Sequence, residues 1–130
     1  MNKYIIGKTE LYNKEDHNVF RIIDIPDDVL CQLDLYLSVI IRDYLRAFIQ
    51  NTPAIGNCVI EDESPLYKAT EKDWKKWESL VNSVTDEFDE LVKIIKQIDS
   101  DTGSDLMSKK SKLQKKAFEN LAYIYDDLCW

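Results

Sequence analysis

Residues 74–98 read WKKWESLVNSVTDEFDELVKIIKQI. Apolar side chains recur at Trp74, Trp77, Val81, Val84, Phe88, Leu91, Ile95 and Ile98, in alternating steps of three and four. A repeat of 3.5 residues keeps one narrow stripe on one side of a helix, and that stripe asks for a long, nearly parallel or antiparallel helical partner. Thr70 precedes the run as a helix N-cap, and Asp73 three residues on resembles a capping box with Asp in place of the usual Glu. The spacing predicts a helix over 70–98. It sets the expected fold class as mainly α, with three long amphipathic helices in a single domain over residues 1–130.

The partner lies downstream. Asp99-Ser100-Asp101-Thr102-Gly103-Ser104 has turn composition, with Gly103 available for a positive φ. A third helix over 104–129 carries Leu106, Leu113, Ala117, Leu121, Ile124 and Leu128 on one stripe, widened by Phe118, Ala122 and Tyr125. Folding the second and third helices antiparallel about the turn brings Lys75 and Lys76 near Asp127 and Asp126. Asp86, Glu87, Asp89 and Glu90 come near Lys116, Lys115 and Lys112. Each exposed pair contributes about 0–1 kcal/mol. Their value is register, since slipped pairings would set like charges together.

Upstream, a first helix is expected over 28–51. Pro26 precedes it, and Asp27 and Asp28 suit its N-terminus. Leu30, Leu33, Leu37, Ile41, Leu45 and Phe48 form its stripe, and Val29, Ile40, Tyr44 and Ile49 widen it toward two neighbours. Residues 1–25 are less regular. Lys3-Tyr4-Ile5-Ile6 and Val19-Phe20-Arg21-Ile22-Ile23 are short β-branched runs that fit either a small hairpin or an extended arm. Residues 52–69 hold Pro53, Gly56 and Pro65 and form a long connection, expected to cross the helices as a strap pinned by Ile55, Val59, Ile60 and Leu66.

Composition narrows the class. Of 130 residues, 45% are hydrophobic and 32% charged, which suits a packed domain. Cys31, Cys58 and Cys129 are odd in number and widely spaced, so they form neither a disulfide framework nor a zinc motif. No run approaches the roughly 20 apolar residues of a membrane span, and the expectation is a cytoplasmic protein. The net charge is −7, which opposes direct nucleic-acid binding because the chain repels phosphate. Residues 1–67 hold 6 basic and 11 acidic residues, so most of the excess sits there.

Catalytic signatures do not assemble. His17 is the single histidine, so no triad or multi-histidine metal site can be built with a second one. The turn at 99–104 fails as a calcium loop, because Ser104 stands where glycine is required and Lys110 where the closing acid belongs. No Gly-rich phosphate loop is present and no cofactor is expected. The aromatic residues offer more. Trp74 and Trp77 open the second helix and Trp130 falls beside Trp74 in the antiparallel pairing. They form either a core lid or, with Tyr123, a partner-binding patch. A second candidate surface is acidic, drawn from Asp27, Asp28, Asp34, Asp43, Glu61, Asp62 and Glu63.

A spaced pattern adds to this reading. Leu33-Asp34-x-x-Leu37-Ser38-x-x-Ile41-x-x-x-Leu45-x-x-Phe48, then Trp77, Val81, Val84 and Phe88, then Leu121-Ala122-x-x-Tyr125-x-x-Leu128-Cys129-Trp130 run in order. Together they resemble an uncharacterised family of small helical proteins of tailed phages and prophages of Gram-positive bacteria. Cys129 departs from that family's Leu-Trp-Trp ending. The resemblance implies a protein acting inside an infected or lysogenic bacterium and carries over no activity. The expected function is a non-enzymatic module that binds a protein partner. The alternative is an acidic, nucleic-acid-mimicking inhibitor of a host protein. A two-fold homodimer is an open expectation, since the apolar faces of the first two helices exceed what three helices cover.

Overall fold

The computed structural model describes residues 8–10, 21–62, 64, 66–100 and 103–129. Its contacts group the chain into two units, Met1–Leu37 and Ser38–Trp130.

In the first unit, β1 (Lys8–Glu10) pairs antiparallel with β2 (Arg21–Ile23), with Lys8 opposite Ile23 and Glu10 opposite Arg21. The expected second strand is therefore present at its C-terminal end. Its partner lies downstream of 3–6, and that expected run falls outside the described residues. Asp24 turns the chain with φ 53°, a left-handed conformation that Asp tolerates better than most side chains. Helix α1 (Asp27–Leu30) follows Pro26, and two residues separate it from helix α2 (Leu33–Asn51).

The single first helix expected over 28–51 is thus broken at Cys31–Gln32. The cause is local. The Gln32 amide bonds the Val29 carbonyl at 3.2 Å, a three-residue closure that tightens the turn, and Gln32 then supplies the carbonyl for Tyr36. Asp34 accepts the Leu35 amide at 2.9 Å, placing a carboxylate at the new N-terminus. The stripe read from the sequence also turns outward at this end. Leu30, Leu33 and Leu37 are 51%, 43% and 45% exposed.

The second unit holds the larger core. Helix α3 (Glu71–Ser100) and helix α4 (Ser104–Ile124) form the antiparallel hairpin. Trp77, Val81, Val84, Phe88, Leu91 and Ile95 of the heptad are all buried. Phe88 meets Phe118 edge-to-face at 5.2 Å between centroids, and Ala117 and Ile124 bury the facing side of α4. Glu87 accepts Asn120 Nδ2 at 2.9 Å and lies 3.7 Å from Lys116, as the charge register requires.

Other expected pairs are replaced. Asp89 takes Arg42 of α2 at 3.1 Å and Lys93 at 3.3 Å. Lys76 reaches Glu61 at 3.5 Å and Lys75 reaches Glu71 at 3.8 Å. Their expected partner Asp127 instead accepts the Cys58 amide at 3.0 Å. The reason is that α4 ends at Ile124 and continues as a 3-10 turn over Tyr125–Asp127, short of the expected 129. The extra winding of that turn carries Asp127 toward the strap.

The capping box forms as expected. Thr70 N and Oγ1 donate to Asp73 at 2.9 and 3.1 Å, the Asp73 amide returns to Thr70 Oγ1 at 3.3 Å, and Tyr67 adds its hydroxyl to the same carboxylate. Gly103 is the N-cap of α4 with φ −58°, so the positive φ expected there is not used. No helix among the described residues is long and apolar enough to cross a membrane.

Candidate partner-binding site

The strap decides where the tryptophans go. Residues 52–70 lead from α2 to α3 with one 3-10 turn, Asn57–Val59. Gly56 sits on the Trp77 ring so closely that a Cβ there would fall 2.5 Å from the indole. On another side Phe48 meets Trp77 edge-to-face at 6.4 Å. Trp77 is 0% exposed as a result. It is a core residue and presents no surface to a partner, contrary to the patch that sequence reasoning allowed. Its partner in that patch, Trp74, is half-buried, and Trp130 lies outside the described residues. Of the residues expected to pin the strap, Ile55, Val59 and Ile60 are half-buried, whereas Leu66 is 88% exposed and does not pin it.

Tyr123 is 62% exposed, and its hydroxyl donates to the Cys58 carbonyl at 3.3 Å. With the Asp127–Cys58 bond it ties the strap to the end of α4. Burial first, then the hydrogen bond with Asp127, pushes the Cys58 thiol up to about 11. A thiol held protonated at neutral pH is a poor nucleophile.

The acidic candidates divide between the two units. Asp27 and Asp28 occupy the first turn of α1, and Asp34 the first turn of α2. Asp43 pairs with Arg42 at 2.9 Å and Arg46 at 3.5 Å. Glu61 pairs with Lys76 at 3.5 Å, Asp62 accepts the Ser64 amide at 2.8 Å, and Glu63 lies outside the described residues. Among the described residues no group of His, Cys, Asp or Glu could hold a metal ion.

An apolar groove forms where the sequence indicated only packing. Helix α2 turns Ser38, Arg42, Leu45 and Ile49 inward, with Arg42 bound to Asp89 of α3. Ile40, Ile41 and Tyr44 therefore stand beside the hairpin instead of within it. Helix α4 offers Leu121 from its final turn, and the 3-10 turn that follows adds Tyr125, with Leu128 next in the chain. Between these walls, floored by Leu45 and Phe48, lies a groove of about 340 Å³. Its rims are aromatic, since Tyr44 is 75% exposed and Tyr125 67%. Among the described residues no charged side chain lines it. Sequence reasoning counted Tyr44 and Tyr125 as widening core stripes. The signal that could have found them is the apolar excess on the first helix, which carries more apolar positions than two neighbours can cover.

No family model, curated protein or solved structure matches this chain. The likeness to small phage helical proteins rests on the residue pattern alone.

Proposed function

We propose that this chain is a non-enzymatic interaction module that receives an amphipathic helix of a protein partner in the groove between α2 and α4. The observation that carries the reading is the groove itself. It is apolar, open along one side and flanked by two exposed tyrosines. Small-molecule sites combine apolar walls with a few convergent polar groups that fix the ligand's orientation. Here the polar groups are two rim hydroxyls, and the walls are aliphatic. Such a surface suits the apolar face of a helix, entering as side chains three and four residues apart. Tyr44 and Tyr125 would act as rim anchors of the type that dominates binding energy. On the resemblance to phage proteins, the partner would be a protein of the bacterial cytoplasm during infection or lysogeny.

A photo-crosslinking residue at position 44 or 125 identifies the partner in such cells. Titration calorimetry with the purified partner then tests the site. Tyr44→Ala with Tyr125→Ala should raise Kd by about 30-fold or more, from a truncation cost of at least ~2 kcal/mol, while the helical circular-dichroism signal stays unchanged. An unaltered Kd in that double variant would remove the groove from the function.

A further inference from the structure

We infer that the helix received in the groove is acidic, and that it extends from the groove along α4 with its carboxylates against Lys115 and Lys112. The inference rests on the groove reading and adds the chemistry of the partner.

The apolar surface continues beyond the groove. At 100° per residue, Met107 lies about 20° around α4 from Phe118, and Leu121 about 60° on the same side. Met107 and Phe118 are 48% and 44% exposed. At 1.5 Å per residue the stripe from Met107 to Leu121 is about 21 Å long, roughly four turns of helix. It enters the groove at Leu121, which lines that space with Ile41 and Tyr44 of α2. Exposed apolar side chains continuous with a groove mark an interaction surface longer than the groove itself.

Beside the stripe the charge has one sign. Residues 106–118 contain five lysines and no acidic residue, in a chain whose net charge is −7. Lys116 lies 3.7 Å from Glu87 and serves the hairpin. Lys115 and Lys112 are exposed. They lie about 60° and 120° around from Phe118, on the side away from Leu121. The order around α4 is therefore groove wall, apolar stripe, Lys115, Lys112. A helix with its apolar face on Met107, Phe118 and Leu121 presents one polar flank to those two ammonium groups. Glu or Asp on that flank places opposite charges at the rim of an apolar contact, and Lys or Arg there would set like charges together.

Other anions fit less of this surface. Nucleic acid would meet the lysines, would leave the stripe and the groove open, and would be repelled by the acidic remainder of the chain. The surface of an anionic bilayer cannot follow a groove between two helices. An acidic amphipathic helix covers the groove, the stripe and the lysines together.

Designed helical peptides of about 18 residues, or five turns, test this. All share one apolar face of leucines spaced three and four apart. The positions flanking that face are Glu in one peptide, Gln in the second and Lys in the third. Fluorescence anisotropy at low salt should show the Glu peptide binding about tenfold or more tightly than the Gln peptide, with the Lys peptide weakest. The overall charge of −7 by itself would give the reverse order. The differences should fade in 1 M salt, where the Debye length is about 3 Å. Lys112→Glu with Lys115→Glu should invert the order and leave the Kd of the Gln peptide unchanged. If circular dichroism shows that this reversal unfolds the chain, Lys112→Gln with Lys115→Gln should abolish the order instead. Peptides of equal affinity, all weakened by Tyr44→Ala with Tyr125→Ala, would overturn this inference and keep the groove. The expected order untouched by the tyrosine pair would remove the groove, and with it an acidic helix lying there. No binding by any peptide up to millimolar concentration would overturn both. Heparin or phosphatidylserine vesicles bound through Lys112 and Lys115 more tightly than the Glu peptide would give this face to another anion and overturn the inference.

Discussion

Gly56 has no side chain because Trp77 occupies the place where one would go. A methyl group there would stand 2.5 to 2.7 Å from three carbons of the indole, well inside contact distance. The ring cannot retreat easily, since Phe48 holds another side and the residue is 0% exposed. Gly56→Ala should therefore cost about 1–3 kcal/mol, the usual range for overpacking a filled core. Urea denaturation followed by tryptophan fluorescence reads the change directly, and a midpoint equal to wild type would show that the strap yields freely. Asp73 allows a second prediction. The Thr70 amide, then the Tyr67 hydroxyl, hold its carboxyl below the ordinary carboxylate value. A group depressed in the folded state contributes stability above its unfolded pKa, about 3.9. That stability disappears as pH falls through the lower folded value. The wild-type melting temperature should thus drop below about pH 4 more steeply than that of Asp73→Asn, and parallel curves for the two proteins would argue against a role for the carboxylate charge.

Helix α3 and helix α2 show what a pattern can and cannot specify at the scale of an element. On α3 the apolar residues keep to one side, where Val92 and Ile94 are buried beside the heptad stripe, and charged and polar residues take the other, so a single face can be buried. Its heptad was legible from end to end, and Phe88 at its centre is 0% exposed. Phe88→Ala should cost about 3–5 kcal/mol. Phe118→Ala, on the facing helix but 44% exposed, should cost clearly less, because most of the burial lost belongs to Phe88. Equal losses in chemical denaturation would mean that the hairpin core is not centred where its packing places it. Helix α2 is apolar on more than one side. Its period of 3.6 marked a helix correctly, but period alone does not choose among Leu37, Ile41 and Leu45 for the inward direction. In the folded chain the inward side is the one on which Arg42 meets Asp89, a pairing 47 residues apart in sequence. The break at Cys31–Gln32 was equally hidden, since neither Gly nor Pro marks it and one three-residue hydrogen bond makes it.

For the molecule as a whole, the helical class and the α3–α4 hairpin were readable, whereas the candidate site was not. Charge runs along the sequence suggested an acidic surface, yet Asp43, Glu61 and Asp62 are each engaged by a near neighbour. The groove arises where α2 and the end of α4 fail to close on each other, and such a gap has no sequence motif. Stability should be as uneven as burial is. Among the described residues most of the buried apolar side chains belong to α3, and β1 and β2 are three residues each. Short strand pairs are marginal without further support, and amide exchange measures the free energy of each local opening. Amides of α3 between Val81 and Ile95 lie at the centre of the hairpin and should exchange only through global unfolding. Those of β2 and α1 belong to the other unit, Met1–Leu37, and should exchange at a lower free energy. Hydrogen-exchange mass spectrometry should therefore resolve at least two free-energy classes, and mild denaturant should merge them only near the global midpoint. A single class spanning α1 through α4 would show instead that the two units unfold as one, and that the contacts within Ser38–Trp130 do not suffice to hold it alone.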